Sequence, residues 1–241
     1  LGDVYKRQIL AGLFFTFSKG AFLALMIGFL FLAVFIYFSG QKRDRKILKQ
    51  IILSGIITFS ILSIIYQEPL FTRINSRERL EIKSQQERLN YFNQAKNLLQ
   101  YNWLTGVGLG NYTLALYNHD LVKQPSYAYQ PVHNVYLLVA SEAGIWGLIM
   151  FILIIMEAIR RIWIFKIDEY ISLLGILKMF KFTGIYNFYH EKYFWFLAAT
   201  AILISILVLM AFDHYFWTLY FGIMLWWLCL GIFMKMIGWI R

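Results

Sequence analysis

The sequence predicts an all-α polytopic membrane protein with about five transmembrane helices and one long, partly helical extracytoplasmic loop. Three observations lead there. Of 241 residues, 60% are hydrophobic and only 15% are charged, against about 45–50% apolar and about 25% charged in a soluble domain. The mean hydropathy is +0.59, so the apolar excess is too large for one buried core. Aromatic residues alone make up 19% of the chain. An ordinary soluble enzyme, a disordered chain and a disulfide-rich secreted domain are excluded. The net charge of +10 would suit nucleic acid in a soluble protein. Here the basic residues cluster beside hydrophobic spans, and the positive-inside rule accounts for them without a nucleic-acid partner. The single cysteine, Cys229, can form neither an internal disulfide nor a thiolate metal cluster.

The chain opens on Leu1 rather than Met and is expected to be a fragment of a longer protein. Residues 1–8 are too polar for the span that follows. They resemble an adapter-derived scar of translated metagenomic assemblies and are set apart from the fold. A transmembrane helix needs about 20 mostly apolar residues. The segments that qualify are 20–39, with an apolar lead-in at 9–17, then 47–66, 134–158, 194–212 and 215–234.

Charge sets the sidedness. Lys42, Arg43, Arg45, Lys46 and Lys49 follow the first span, and Arg160, Arg161, Lys166, Lys178, Lys181 and Lys192 follow the third. Lys235 and Arg241 end the chain. If the spans alternate, all three clusters share one side, which is assigned to the cytoplasm. Residues 9–66 are then two transmembrane helices with a basic cytoplasmic loop. Residues 67–133 form an extracytoplasmic loop. Residues 134–241 form three transmembrane helices with a basic cytoplasmic connection at 159–193. Within that connection, 168–190 reads as an interfacial or an ordinary connecting helix.

The external loop carries the candidate chemistry. Residues 75–100 read as a helix with an apolar stripe of Leu80, Leu89, Phe92, Ala95, Leu98 and Leu99. Arg88 sits one turn before Phe92, a position from which it can face inward. Gly106, Gly108 and Gly110 alternate in a turn. Their amides can approach an anion, or the turn simply packs on the membrane surface; the spacing is wrong for a dinucleotide fingerprint. His133 ends the loop at the outer interface, where an imidazole can exchange protons near neutral pH. A lone histidine there is more often structural. Asn134 is a candidate N-cap. Glu142 lies about 12 Å further along the helix at 1.5 Å per residue. A carboxylate at such depth faces the bundle interior, a partner or a water-filled cavity, and Gly144 and Gly147 nearby permit close helix packing.

Lys19, in Ser18-Lys19-Gly20, interrupts the apolar run before the first span. It is either a snorkelling lysine or a cation facing an external anion. Asp213-His214 is explained by a short external turn. The histidines His119, His133, His190 and His214 show no metal-ligand spacing, and no metal site is expected. No nucleophile elbow or Walker loop occurs either.

In this order the motifs resemble the C-terminal half of the O-antigen ligase and O-antigen polymerase superfamily. The resemblance rests on Ser18-Lys19-Gly20-Ala21, Arg88, Trp103, Gly106 to Asn111, and His133-Asn134. Glu142-Ala143-Gly144-Ile145-Trp146-Gly147 and Asp213 to Thr218 complete it. It covers about residues 18–220. It implies an integral-membrane glycosyltransferase that is metal-independent and uses no cofactor. Its donor would be undecaprenyl-diphosphate-linked glycan, its acceptor a glycan or lipid, and the active side would be the extracytoplasmic face of the inner membrane. Its other partners would be membrane lipids and the missing N-terminal half of the same protein. Arg88 and Lys19 would bind the diphosphate, and Arg88 and His133 would be catalytic. Asn134, Glu142, Gly106, Gly108 and Gly110 would support them. Family members usually show Arg at the position of Lys19, which keeps the charge and loses the fork geometry. His133 is either a general base or a phosphate donor. Tyr91, Trp103, Tyr127 and Tyr129 are candidates for sugar stacking or interfacial anchoring.

Two other classes remain open on sequence. A transporter or channel component for an anionic or glycan substrate would use Glu142 and the external cations as a solute path, and would show broken helices near the midplane. A non-catalytic assembly partner would tolerate loss of Arg88 and His133.

Overall fold

In the computed structural model the described residues are 2–39, 42–75, 79–120, 123–164 and 183–240. Among them there are helices, one 3-10 turn and loops, and no strand. The chain divides into two compact units, Leu1–Leu89 and Asn90–Arg241.

The first unit holds α1 (Gly2–Phe15), α2 (Lys19–Ser39), α3 (Lys42–Ile65), α4 (Gln67–Asn75) and the start of α5 (Arg79–Asn102). Residues 2–8, set apart on sequence, continue α1. The polar interruption at Ser18 is a helix break with a cap. Phe17 takes a φ of 47, and the Ser18 Oγ accepts the Ala21 amide at 3.2 Å, which satisfies an otherwise open donor of α2. α1 packs along α3 through aromatic edges: Phe14 meets Phe59 at 5.5 Å and Phe15 meets Tyr66 at 5.0 Å. α3 begins at Lys42, so the basic residues expected in a loop form its first turns. α2 exposes Leu23, Met26, Leu30 and Phe38, as a lipid-facing helix does.

The second unit holds the rest of α5, then α6 (Tyr112–His119), a 3-10 turn (Ser126–Ala128) and α7 (Val135–Ile164). It continues with α8 (Thr183–Met210), α9 (Tyr215–Thr218) and α10 (Tyr220–Ile240). Ala95, Leu98, Tyr112, Leu116, Tyr129, Val132 and Leu138 form a core that joins α5, α6 and the start of α7. α8 packs on α10, with Phe196 stacked on Phe233 at 5.9 Å.

Among the described residues, four helices are long and apolar enough to cross a membrane: Lys19–Phe38, Lys42–Ile65, Val135–Ile162 and His190–Met210. A shorter apolar stretch runs Tyr220–Met236. The fifth expected span, 215–234, is therefore two pieces. Leu219 turns extended, with ψ 131, and α9 folds back onto α10 over Gly222, where a Cβ would lie 2.1 Å from the Tyr215 carbonyl oxygen. The third expected span is broken at Gly144, which takes φ 69 and ψ −170. Before the break, Val135, Leu138, Val139, Ala140, Ser141 and Glu142 are buried; after it, Ile149, Met150, Ile152, Leu153 and Met156 are exposed. The first part of α7 is thus enclosed by protein, and the second presents an apolar face to lipid. Most of the expected interfacial segment 168–190 lies outside the described residues, and its end, from Thr183, is part of α8.

Candidate active site

The start of α7 is fixed by three side-chain bonds. Asn134 caps the helix, its Oδ1 accepting the Leu137 amide at 2.8 Å. Its Nδ2 donates to the Ala211 carbonyl at 3.0 Å. Two residues on, the Tyr136 hydroxyl donates to the Leu207 carbonyl at 2.8 Å. The last two bonds tie α7 to the end of α8, and so carry the α8–α9 turn to His133.

There His133 Nδ1 lies 3.3 Å from Asp213 Oδ1, with side-chain exposures of 26% and 16%. Nδ1 is buried and makes no hydrogen bond. The two facts agree if the contact is of ion-pair length but off the N–H direction, because a hydrogen bond weakens steeply when bent. Tyr91 stacks on the His133 ring at 5.9 Å, and His214 meets it edge-on at 4.9 Å. Asp213 is held in turn by the His214 amide, which donates to Oδ1 at 2.8 Å. The Thr218 hydroxyl donates to the His214 carbonyl at 3.2 Å. Its Oγ1 also lies 2.6 Å from Nδ1 of His214; with the hydroxyl proton on the carbonyl, Nδ1–H donates to Oγ1 and Nε2 keeps the lone pair. Burial first, then the neighbouring His133, lowers the His214 pKa, against a raising effect of Asp213.

Glu142 is 4% exposed, and its Oε2 accepts the Trp217 indole N–H at 2.8 Å. The bonded neighbour that its depth demanded is thus on α9. The two residues line one side of a cavity of about 530 Å³, walled also by Tyr112, Phe216, Trp226 and Trp227. The Tyr112 hydroxyl is buried without a hydrogen-bond partner. Burial, reinforced by the Glu142 charge, pushes its pKa well above the ordinary phenol value.

The glycine turn docks into the break of α7. The Val107 amide donates to Ser141 O and the Gly108 amide to Glu142 O, each at 2.9 Å, while the Ile145 amide donates to Trp103 O at 2.9 Å. The Gly106 amide donates to Asn102 O at 2.8 Å. These amides are committed to protein carbonyls and do not face an anion. The turn replaces the helical bonds that Gly144 breaks. Gly106 and Gly144 allow the approach. Gly110 has open space around it, with φ +74.

The structure thus brings His133, Asn134, Glu142, Gly106 and Gly108 into one region of the second unit. Lys19 and Arg88 lie in the first unit and are exposed. Arg88 does not turn inward with the stripe, since Leu89 and Phe92 beside it are 66% and 47% exposed. Sequence reasoning missed Asp213, His214 and Tyr91 as neighbours of His133, and Trp217 as the partner of Glu142. The signal available was that Asp213-His214 and His133 end spans on the same expected side.

A family model described as O-antigen ligase matches residues 9–152, more than half of the 241-residue chain. The match includes Lys19, Arg88, His133 and Glu142, and ends before Asp213. Comparison with curated proteins and with solved structures gives no match.

Proposed function

Because the chain belongs to the O-antigen ligase family, we propose that it transfers or polymerises undecaprenyl-diphosphate-linked glycan at the outer face of the cytoplasmic membrane, with His133 as general base. Membership indicates glycosyl transfer of the ligase or polymerase type, and the apolar helices make the chain a multi-pass membrane protein. In the proposed reaction an acceptor hydroxyl attacks the anomeric carbon of the lipid-linked glycan. A carbon–oxygen bond forms to the acceptor as the bond to the diphosphate oxygen breaks. The electron pair leaves with the lipid diphosphate, and the hydroxyl proton passes to His133 Nε2.

The observation that supports this best is the approach of His133 Nδ1 to Asp213 Oδ1 at 3.3 Å. A carboxylate beside one edge of the ring stabilises the imidazolium that forms as the other edge takes a proton. Asp213 is then a positioning residue, and Tyr91 limits rotation of the ring.

The leaving diphosphate needs fixed positive charge. Arg88 can engage phosphate oxygens with two parallel N–H bonds. Lys19 opens α2, where the helix dipole opposes a cation and favours an anion.

The break at Gly144 is the kind of interruption that a transporter site uses. Ser141 O, Glu142 O and the Ile145 amide at the break are bonded to the 103–108 segment instead of being left for an ion or solute, which favours transfer over transport. The test expresses the gene in a strain lacking its own ligase or polymerase and compares glycan ladders. Arg88→Ala and His133→Ala should each abolish product at equal protein levels. Unchanged ladders in both would mark a non-catalytic partner. Product on a separate acceptor denotes a ligase, and longer chains on the lipid carrier denote a polymerase.

A further inference from the structure

We propose that His133, Asp213 and His214 form a binding site for a divalent zinc-type ion. One ligand atom from each of the three residues lies within 4.8 Å of the other two. His133 Nδ1 and Asp213 Oδ1 are 3.3 Å apart, which is the separation of two donors on one tetrahedral zinc, about 3.3–3.5 Å for bonds of about 2.0–2.1 Å. A pair at the 4.8 Å limit closes by about 1.4 Å of side-chain rotation to reach the same spacing.

The surroundings suit an ion. His133 Nδ1 is buried and has no hydrogen bond, although an oxygen anion stands beside it. A cation between the two would satisfy both. Thr218 Oγ1 takes the Nδ1–H of His214 at 2.6 Å. That is the outer bond that fixes the tautomer of a metal-binding histidine and frees Nε2. The His214 amide holds Asp213 Oδ1 at 2.8 Å. The frame is rigid, because Asn134 and Tyr136 pin the two segments together. Two imidazoles and one carboxylate suit zinc; magnesium and calcium prefer all-oxygen sets. Three protein ligands leave a fourth position for water.

The site has a consequence for transfer. With Nδ1 of His133 on the ion, Nε2 carries the remaining ring proton and cannot accept another. Zinc would therefore hold the protein in an inactive form. That consequence rests on His133 being the base; ion binding does not.

The test titrates zinc into the purified full chain in detergent against a chromophoric chelator. One equivalent should bind, and magnesium in large excess should not displace it. His133→Ala, Asp213→Asn and His214→Ala should each weaken binding about tenfold or more, while His119→Ala should leave it unchanged. A second measurement needs no variant. Zinc should protect His133 of the wild type from diethyl pyrocarbonate, read by mass spectrometry, while the exposed His119 reacts at its usual rate. Absence of stoichiometric binding, or equal modification of His133 with and without zinc, overturns the site. Glycan ladders are unaffected by that outcome, so the two proposals fail separately.

Discussion

Gly106 and Gly144 meet backbone against backbone. A Cβ on Gly106 would lie 2.3 Å from the Glu142 carbonyl oxygen, and a Cβ on Gly144 would lie 2.3 Å from the Leu104 carbonyl oxygen. Both residues have positive φ, 70 and 69. This double close approach lets the external loop bond into the opened helix, and it sets the level at which Glu142 and the cavity sit.

Gly144→Ala should accordingly cost about 2–4 kcal/mol, from left-handed strain together with overpacking. Gly110→Ala also meets a positive φ, but in open space, and should cost about 1 kcal/mol. Thermal unfolding in detergent compares them. Equal losses would show that the clash at Gly144 is relieved elsewhere.

Glu142→Leu should leave the part-buried Trp217 indole N–H without its acceptor, at about 1–3 kcal/mol. Glu142→Gln keeps an acceptor and should lose less. Tryptophan emission and melting temperature report both. If Leu and Gln variants behave alike, the 2.8 Å bond contributes nothing net.

Asn134 makes two bonds that substitution can separate. Asn134→Asp retains the cap to Leu137 and loses the donor to Ala211; Asn134→Ala loses both and should cost about 1–2 kcal/mol more than the Asp variant. Since the Ala211 bond brings Asp213 to His133, both variants should lose product on glycan ladders. A fully active Asn134→Asp protein would show that the tie is not needed.

Acid should weaken this corner. The His214 pKa is lowered by burial and by His133, with Asp213 opposing. Between that lowered value and about 6.5 the unfolded chain binds more protons than the folded one. Stability therefore rises with pH through this window and is lost as pH falls below about 6.5. His214→Gln should shrink the drop in melting temperature between about pH 7 and about pH 5.5. An unchanged drop would assign it to other groups.

Helix content, the membrane class and the placement of the main spans were legible because a run of about 20 apolar residues matches the thickness of a bilayer and exceeds what a small soluble core can bury. His133, Asn134 and Glu142 were legible as polar residues beside or within such a run. The break in α7 was not. Glycine in an apolar helix reads equally well as a packing contact, and only the opposing Leu104 carbonyl turns it into a break. The split near Leu219 was hidden likewise, since hydropathy runs through it unchanged. The meeting of His133 with Asp213 depends on bonds from Asn134 and Tyr136 to residues more than seventy positions away, which no local pattern encodes.

Whether Asp213 acts through His133 in glycosyl transfer is decided by a double-mutant cycle on single-turnover transfer of lipid-linked glycan. The cycle uses His133→Ala, Asp213→Asn and the double variant. Each single variant should be slow, and the double variant should be no slower than His133→Ala alone. Additive losses would contradict the coupling, because they would place the two residues in independent roles.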